Sequence, residues 1–286
     1  MSRINIKDAA INLLDRANAL LRPRQDTRDK QDALEKKFLQ AAEQSNIPEI
    51  VRCLNGGVNP NCRNLDDGFT ALHLAAERGD LQLAQKLLSY SKTMVDSRDF
   101  LGATPLYIAC GRENLTLVRY LLRNGADSNA RTRFDTTPLH SAVRRSNIAV
   151  IQLLFKYGAQ PNIIDSMNNT PLHLAILEKW SLPMVKLLCG NGADPNLDIG
   201  DLPLFLECVL SCHKEEEMEI VLYLVRLGVD VNVTDKIANR NALHYVALTG
   251  YLPLANKLLQ MGCNPYKTDH YGKTPIDIAK THDNDV

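Results

Sequence analysis

A six-residue block recurs along this chain about every 33 residues, and that period constrains the fold more than any other feature. The clearest copies are Thr70-Ala71-Leu72-His73-Leu74-Ala75, Thr104-Pro105-Leu106-Tyr107-Ile108-Ala109, Thr137-Pro138-Leu139-His140-Ser141-Ala142 and Thr170-Pro171-Leu172-His173-Leu174-Ala175. Weaker copies begin at Lys37, Leu202, Asn241 and Thr274. The starts at 37, 70, 104, 137, 170, 202, 241 and 274 are separated by 33, 34, 33, 33, 32, 39 and 33 residues. A second block recurs between them: Gly125-Ala126-Asp127-Ser128-Asn129, Gly158-Ala159-Gln160-Pro161-Asn162, Gly192-Ala193-Asp194-Pro195-Asn196 and Gly228-Val229-Asp230-Val231-Asn232.

Each block makes local physical sense. Threonine is a helix N-cap whose hydroxyl accepts from orphan N–H groups of the first turn. Proline at the next position costs nothing there, because that N–H has no partner in any case. Leu117-Val118-Arg119-Tyr120-Leu121-Leu122 has the apolar spacing of a second helix, and Gly125 ends it. The Asn- and Asp-rich stretch that follows is a short turn. Each unit therefore reads as helix, turn, helix, hairpin. No unit buries its apolar face alone, so units must stack. The paired motifs over residues 37–286 resemble the ankyrin repeat family. The resemblance implies an all-α ankyrin-repeat solenoid of paired helices with short β-hairpin-like turns. It also implies that His73, His140, His173 and His244 are structural, bonding within and between repeats.

Two regions depart from the period. The unit at Thr170 has one extra residue within Leu177–Pro183, and the next hairpin, Asn196 to Leu202, is two residues short. The unit at Leu202 lacks the Thr cap and has about five extra residues near Ser211–Glu217, read as a longer first helix or a loop. At the N-terminus Ile6, Ala10, Leu13, Leu14, Ala17, Leu20 and Leu21 form one helical stripe. Residues 1–32 are thus expected to be an amphipathic capping helix with a charged linker, and residues 33–286 the repeat domain, about seven repeats and a C-terminal half repeat. Docking a partner and, behind it, lying on a membrane surface are the alternatives to capping for that helix. The half repeat at Thr274 is either a worn-down cap or the point from which a longer chain continues.

Composition narrows the function. With 33 Lys+Arg against 33 Asp+Glu, the neutral sum argues against generic nucleic-acid or anionic-membrane binding. No apolar run reaches the ~18–20 residues of a membrane span. Seven cysteines at irregular spacing favour a reducing, intracellular setting, cytoplasmic or nuclear, over a disulfide framework. Cys208 and Cys212 share a helical face that zinc could use, but no second ligand pair lies nearby, and buried thiols are the simpler reading. No phosphate loop, nucleophile elbow or dinucleotide fingerprint is present. The expectation is a non-enzymatic protein with no cofactor and no metal, monomeric unless the N-terminal helix self-associates.

The family resemblance places the binding surface at the hairpin tips and at the C-terminal end of each first helix. Carried over by position, those slots give Arg78, Phe100, Arg112, Arg133, Phe134, Arg144, Arg145, Met167 and Trp180 as partner-binding candidates. Arginines cluster in successive units, and Phe100, Phe134, Met167 and Trp180 are apolar where such slots are usually wet. Trp, Arg and other aromatics dominate binding hot spots. The competing reading is solvated or intrachain pairs, worth ~0–1 kcal/mol each. The expected function is an interaction module or adaptor that binds a partly acidic, apolar-anchored protein or peptide along a concave groove. An alternative implied by the resemblance is a substrate-recognition subunit of a cullin-type ubiquitin ligase, with its SOCS-box-like helical box absent from this chain.

Overall fold

A computed structural model describes residues 30–197 and 199–281. The apolar stripe from Ile6 to Leu21 lies outside the described residues. The chain divides into two compact units, Met1–Pro105 and Leu106–Val286. Among the described residues there are helices and turns and no strands.

The first unit holds α1 (30–43), α2 (Ile47–Asn55), α3 (Ala71–Arg78) and α4 (Leu81–Leu88). The second holds α5 (Pro105–Gly111, starting on the boundary residue), α6 (Leu115–Arg123), α7 (Pro138–Arg144), α8 (Ile148–Lys156), α9 (Pro171–His173) and α10 (Leu182–Gly190). It continues through α11 (Leu204–Leu210), α12 (Glu215–Arg226), α13 (Ala242–Thr249), α14 (Leu252–Gln260) and α15 (Pro275–Thr281). Each unit stacks its helix pairs on buried leucine and alanine. In the second unit Leu106, Leu117, Leu121, Leu139, Ile151 and Leu154 are fully buried.

The helix starts follow the sequence reading. Thr137 and Thr170 cap α7 and α9, and the histidine three residues on closes the cap from the other side. His140 Nδ1 accepts the Thr137 backbone N–H at 3.1 Å, the task Glu or Gln performs in a capping box. Asp277 does the same for Thr274 at 3.0 Å. Second helices are capped by Asp80, Asn114 and Asn147, whose side chains accept from Leu83, Leu117 and Val150.

Two side-chain bonds sew neighbouring repeats together. The histidine Nε2 reaches the carbonyl just before the next cap: His73 to Ala103 at 3.0 Å in the first unit, His140 to Asn169 and His244 to Lys273 at 3.2 Å in the second. The hairpin asparagine bonds the next hairpin twice. Asn129 donates to Gly158 O at 3.0 Å and accepts from Gln160 N at 2.8 Å. Asn162 and Asn232 repeat the pattern. At the junction of the fifth and sixth repeats both bonds are missing among the described residues. Among the described residues the bonds of His173 are those within its own cap, to Thr170.

Both departures from the period have a local explanation. In regular repeats the cap N–H of the second helix bonds an alanine carbonyl five residues back, as in Asp80 to Ala75 and Asn147 to Ala142. In the fifth repeat Ser181 bonds Ala175, six residues back, at 3.3 Å. The extra residue is absorbed by widening Leu174–Glu178 into a π-helical turn, the usual way an inserted residue is taken up inside a helix. In the sixth repeat the first helix is not lengthened, so of the two sequence readings, a longer first helix or a loop, the first does not hold. It has seven residues and is capped at Pro203, one residue later than the motif alignment places it. The extra residues are shared between a four-residue connector, 211–214, and the second helix, α12, which reaches 12 residues. The acidic run Glu215-Glu216-Glu217 forms its first turn, where the helix dipole favours it. Glu217 also accepts the N–H groups of His213 and Lys214.

Gly68 shows where the hairpins are tight. Its φ is +81°, and an added Cβ would fall 2.6 Å from the Phe100 ring. Gly68→Ala is expected to destabilise the first unit by about 1–2 kcal/mol, the cost of a left-handed residue with a side chain. A lower urea midpoint checks this, and an unchanged one would mean that the hairpin relaxes freely.

Candidate groove site

The ends of the first helices in the second unit converge on one cavity of about 530 Å3. Arg112 reaches it from the end of α5, Arg144 and Arg145 from the end of α7, and Lys179 from the turn after the π-helix. Its remaining lining is Tyr107, Ile108, Gly111, Ser141 and one acid, Glu178. Four cationic side chains from three consecutive repeats thus line the cavity, with Glu178 among them. The sequence reading placed the three arginines here. It passed over Lys179, which reaches the site because the fifth repeat is one residue longer.

The arginines differ in what they do. Arg144 is half-buried and braced by two acids, Asp165 and Glu178, each at 3.6 Å. Asp165 is deeply buried, and its Oδ1 already accepts from Met167 N and Asn169 N at the hairpin. Its Oδ2 has no hydrogen bond, so the Arg144 charge is what compensates it. Arg144 therefore holds the hairpin against the helix end. Arg145 and Arg112 are exposed in the same cavity. Arg133 is exposed at its hairpin, and the neighbouring Arg131 pairs with Asp135 at 3.4 Å.

The apolar candidates also separate. Phe134 and Met167 sit at successive hairpin tips, 55% and 73% exposed, tied by Ser166 N donating to Phe134 O at 3.0 Å. Trp180 is half-buried and is not part of the cavity wall. It occupies the left-handed turn between two helices, φ 45°, where other repeats place Gly79, Ser146 or Gly250. Two candidates belong to the first unit. Arg78 donates to the Glu43 carbonyl at the end of α1, and Phe100 packs over Gly68 at 41% exposure.

The cysteine pair favours the simple reading. Cys208 and Cys212 are both buried. Burial pushes the Cys208 thiol well up and the Cys212 thiol to about 12, so both are held as neutral thiols.

Helix pairs repeating every 33 residues or so, sewn by His and Asn side chains, define a helical repeat protein. A family profile described as "Ankyrin repeats (3 copies)" matches residues 38–132 and 113–199, together more than half of the chain. The chain belongs to the ankyrin-repeat family, which is generally non-enzymatic and serves as a protein–protein interaction module. It is similar to the p105 subunit of nuclear factor NF-kappa-B of Mus musculus, 37% identical over 87 residues, 30% of this chain and 9% of that one. It is also similar to the human ankyrin repeat domain-containing protein 53, 38% identical over 96 residues, 32% of this chain and 18% of the relative. The putative ankyrin repeat protein YahD of Escherichia coli aligns over 85% of this chain and 88% of its own length at 26% identity. The chain thus spans under a fifth of the first two curated relatives. Among the described residues no helix is long and apolar enough to cross a membrane.

Proposed function

We propose that the groove of the second unit binds an extended acidic segment of a partner protein, and that the chain works as an adaptor through it. One observation carries this reading. Arg112, Arg145 and Lys179, from three consecutive repeats, line one cavity whose only acid, Glu178, already serves Arg144. An anionic group that enters this cavity meets cationic side chains from three repeats, which is electrostatically favourable. Phe134 and Met167 at the tips offer exposed apolar contacts on which side chains of the same segment rest. Arg133 adds charge at that edge. Trp180 acts by shaping the turn that carries Lys179.

The test is affinity capture from the native cell with the wild-type chain and with the Arg112→Glu, Arg145→Glu double variant. For a partner so identified, reversal is expected to weaken binding at least about tenfold, because like charges across an interface cost several kcal/mol. Wild-type affinity should also fall as salt rises. A partner bound equally by both proteins would overturn the placement.

A further inference from the structure

The groove cavity owes its depth to a side chain that one repeat omits. Gly111, at the end of α5, stands seven residues after Thr104. The same slot holds Glu77, Arg144, Leu177 and Leu248 in other repeats. Gly111 is part of the cavity wall, and a Cβ added to it would fall 3.0 Å from the Ser141 hydroxyl oxygen. Any larger residue there would grow into the space that Arg112 and Arg145 border. The glycine therefore leaves a recess at the level of the cationic side chains.

The recess is joined to both exposed hairpin tips. Tyr107 in its wall meets Thr136, two residues past Phe134, through a hydroxyl–hydroxyl bond of 3.3 Å. Arg144 in its wall pairs with Asp165, two residues before Met167. Arg144 is held in that role by the buried Asp165 oxygen that it compensates. Arg112, Arg145 and Lys179 bring one exposed cation from each of three consecutive repeats.

We propose that the anionic group received in this recess is the phosphate of a phosphoserine or phosphothreonine in the bound segment. The assignment deepens the groove reading and rests on it. A phosphomonoester carries about −1.5 to −2 charge at neutral pH and three strong acceptor oxygens. A carboxylate carries a single charge and two oxygens in one plane. Three cations from three repeats match the phosphate count, and two of them are guanidinium forks that pair with phosphate bidentately. The missing side chain at Gly111 gives the bulkier tetrahedral group its room. Phe134 and Met167 then offer apolar contacts to the residues on either side of it. A lipid headgroup or a nucleic acid would bring the same phosphate, but those surfaces favour a basic excess, and this chain is neutral overall.

The test titrates the whole chain with short labelled peptides that carry phosphoserine, serine, glutamate or an Asp-Asp pair between two leucines. Fluorescence anisotropy is the readout. The phosphopeptide is expected to bind at least about tenfold more tightly than the glutamate and Asp-Asp peptides, the scale of one further charge-assisted hydrogen bond. Gly111→Leu keeps every charge and fills the recess, and should weaken phosphopeptide binding at least about tenfold by the same loss of contacts. The Arg112→Glu, Arg145→Glu protein should lose it as well. Arg119→Glu, Arg123→Glu makes the same change of charge at exposed positions of α6 outside the cavity wall, and should retain it. Acidic peptides that bind as tightly as the phosphopeptide, or a phosphopeptide that does not bind, overturn the phosphate assignment. With charge-dependent partner capture intact, either result leaves the groove reading standing. Equal loss in the two charge-reversed proteins removes both. Inorganic phosphate, or vesicles of phosphatidylcholine with a phosphatidylinositol phosphate, binding more tightly than the phosphopeptide overturns the assignment to a protein segment.

Discussion

Moving from pH 7.5 to pH 5 is expected to lower the stability of this protein by at least about 2 kcal/mol, through its repeat histidines alone. His173 carries the clearest share. Burial pulls it from 6.5 down to about 4, with Asp165 opposing weakly. Below pH 6.5 the unfolded chain binds a proton there that the folded chain refuses, so folding free energy is lost as pH falls through that window. The contribution is whole above pH 6.5 and exhausted near pH 4. Its size at pH 5 follows from the two values, about 2 kcal/mol. Burial also lowers His73, His140 and His244, and their losses add in the same direction. The hairpin carboxylates act later. Burial raises Asp235 and Asp269, but backbone N–H donors, with Tyr245 for Asp235 and Arg240 for Asp269, outweigh it and hold both below their usual value. Their contribution is present above about pH 4 and is lost only below it. Urea midpoints at pH 7.5, 6 and 5 therefore fall steadily. A flat profile over that range would mean that the histidines titrate as if exposed.

Much of this architecture was legible in the sequence because it is built from short-range rules repeated in register. Thr137-Pro138 and Thr170-Pro171 announce helix starts, Gly125 announces an end, and the 33-residue step announces stacking. Insertions were countable but not placeable. A residue added between Leu177 and Pro183 can bulge a loop or widen a helix. Keeping Ala175 bonded to Ser181 decides for the π-turn, and that bond is invisible in a string of letters. Leu202-Pro203 resembled Thr-Pro closely enough to set the sixth repeat one residue early. The shift hid Glu207, which in the true register is a carboxylate in an otherwise apolar or hydroxyl-bearing slot. The arginine cluster was legible by position, but its division of labour was not. Arg144 finds Asp165 in the next hairpin, so its partner depends on stacking rather than on sequence neighbours.

The same division between sewn and unsewn junctions gives the second large effect. His140→Ala is expected to cost about 2–4 kcal/mol, because it opens a cavity in a fully buried site and strands polar groups as well. Thr137 N–H loses its acceptor, and the Asn169 carbonyl loses the donor that sews the fourth repeat to the fifth. His173→Ala removes the same ring and the same cap contact from a neighbouring repeat of the same unit. Among the described residues it strands no carbonyl of the next repeat. Its cost should be smaller by about 1–3 kcal/mol, the range for leaving one buried group unpaired. Urea midpoints of the two variants, measured side by side at pH 7.5, read that difference directly. Equal costs would show that the Nε2 bond adds nothing to the stack, and that the fifth-to-sixth junction is as firmly joined as the others. A smaller cost at His173 marks that junction as the place where the repeats are held mainly by packing.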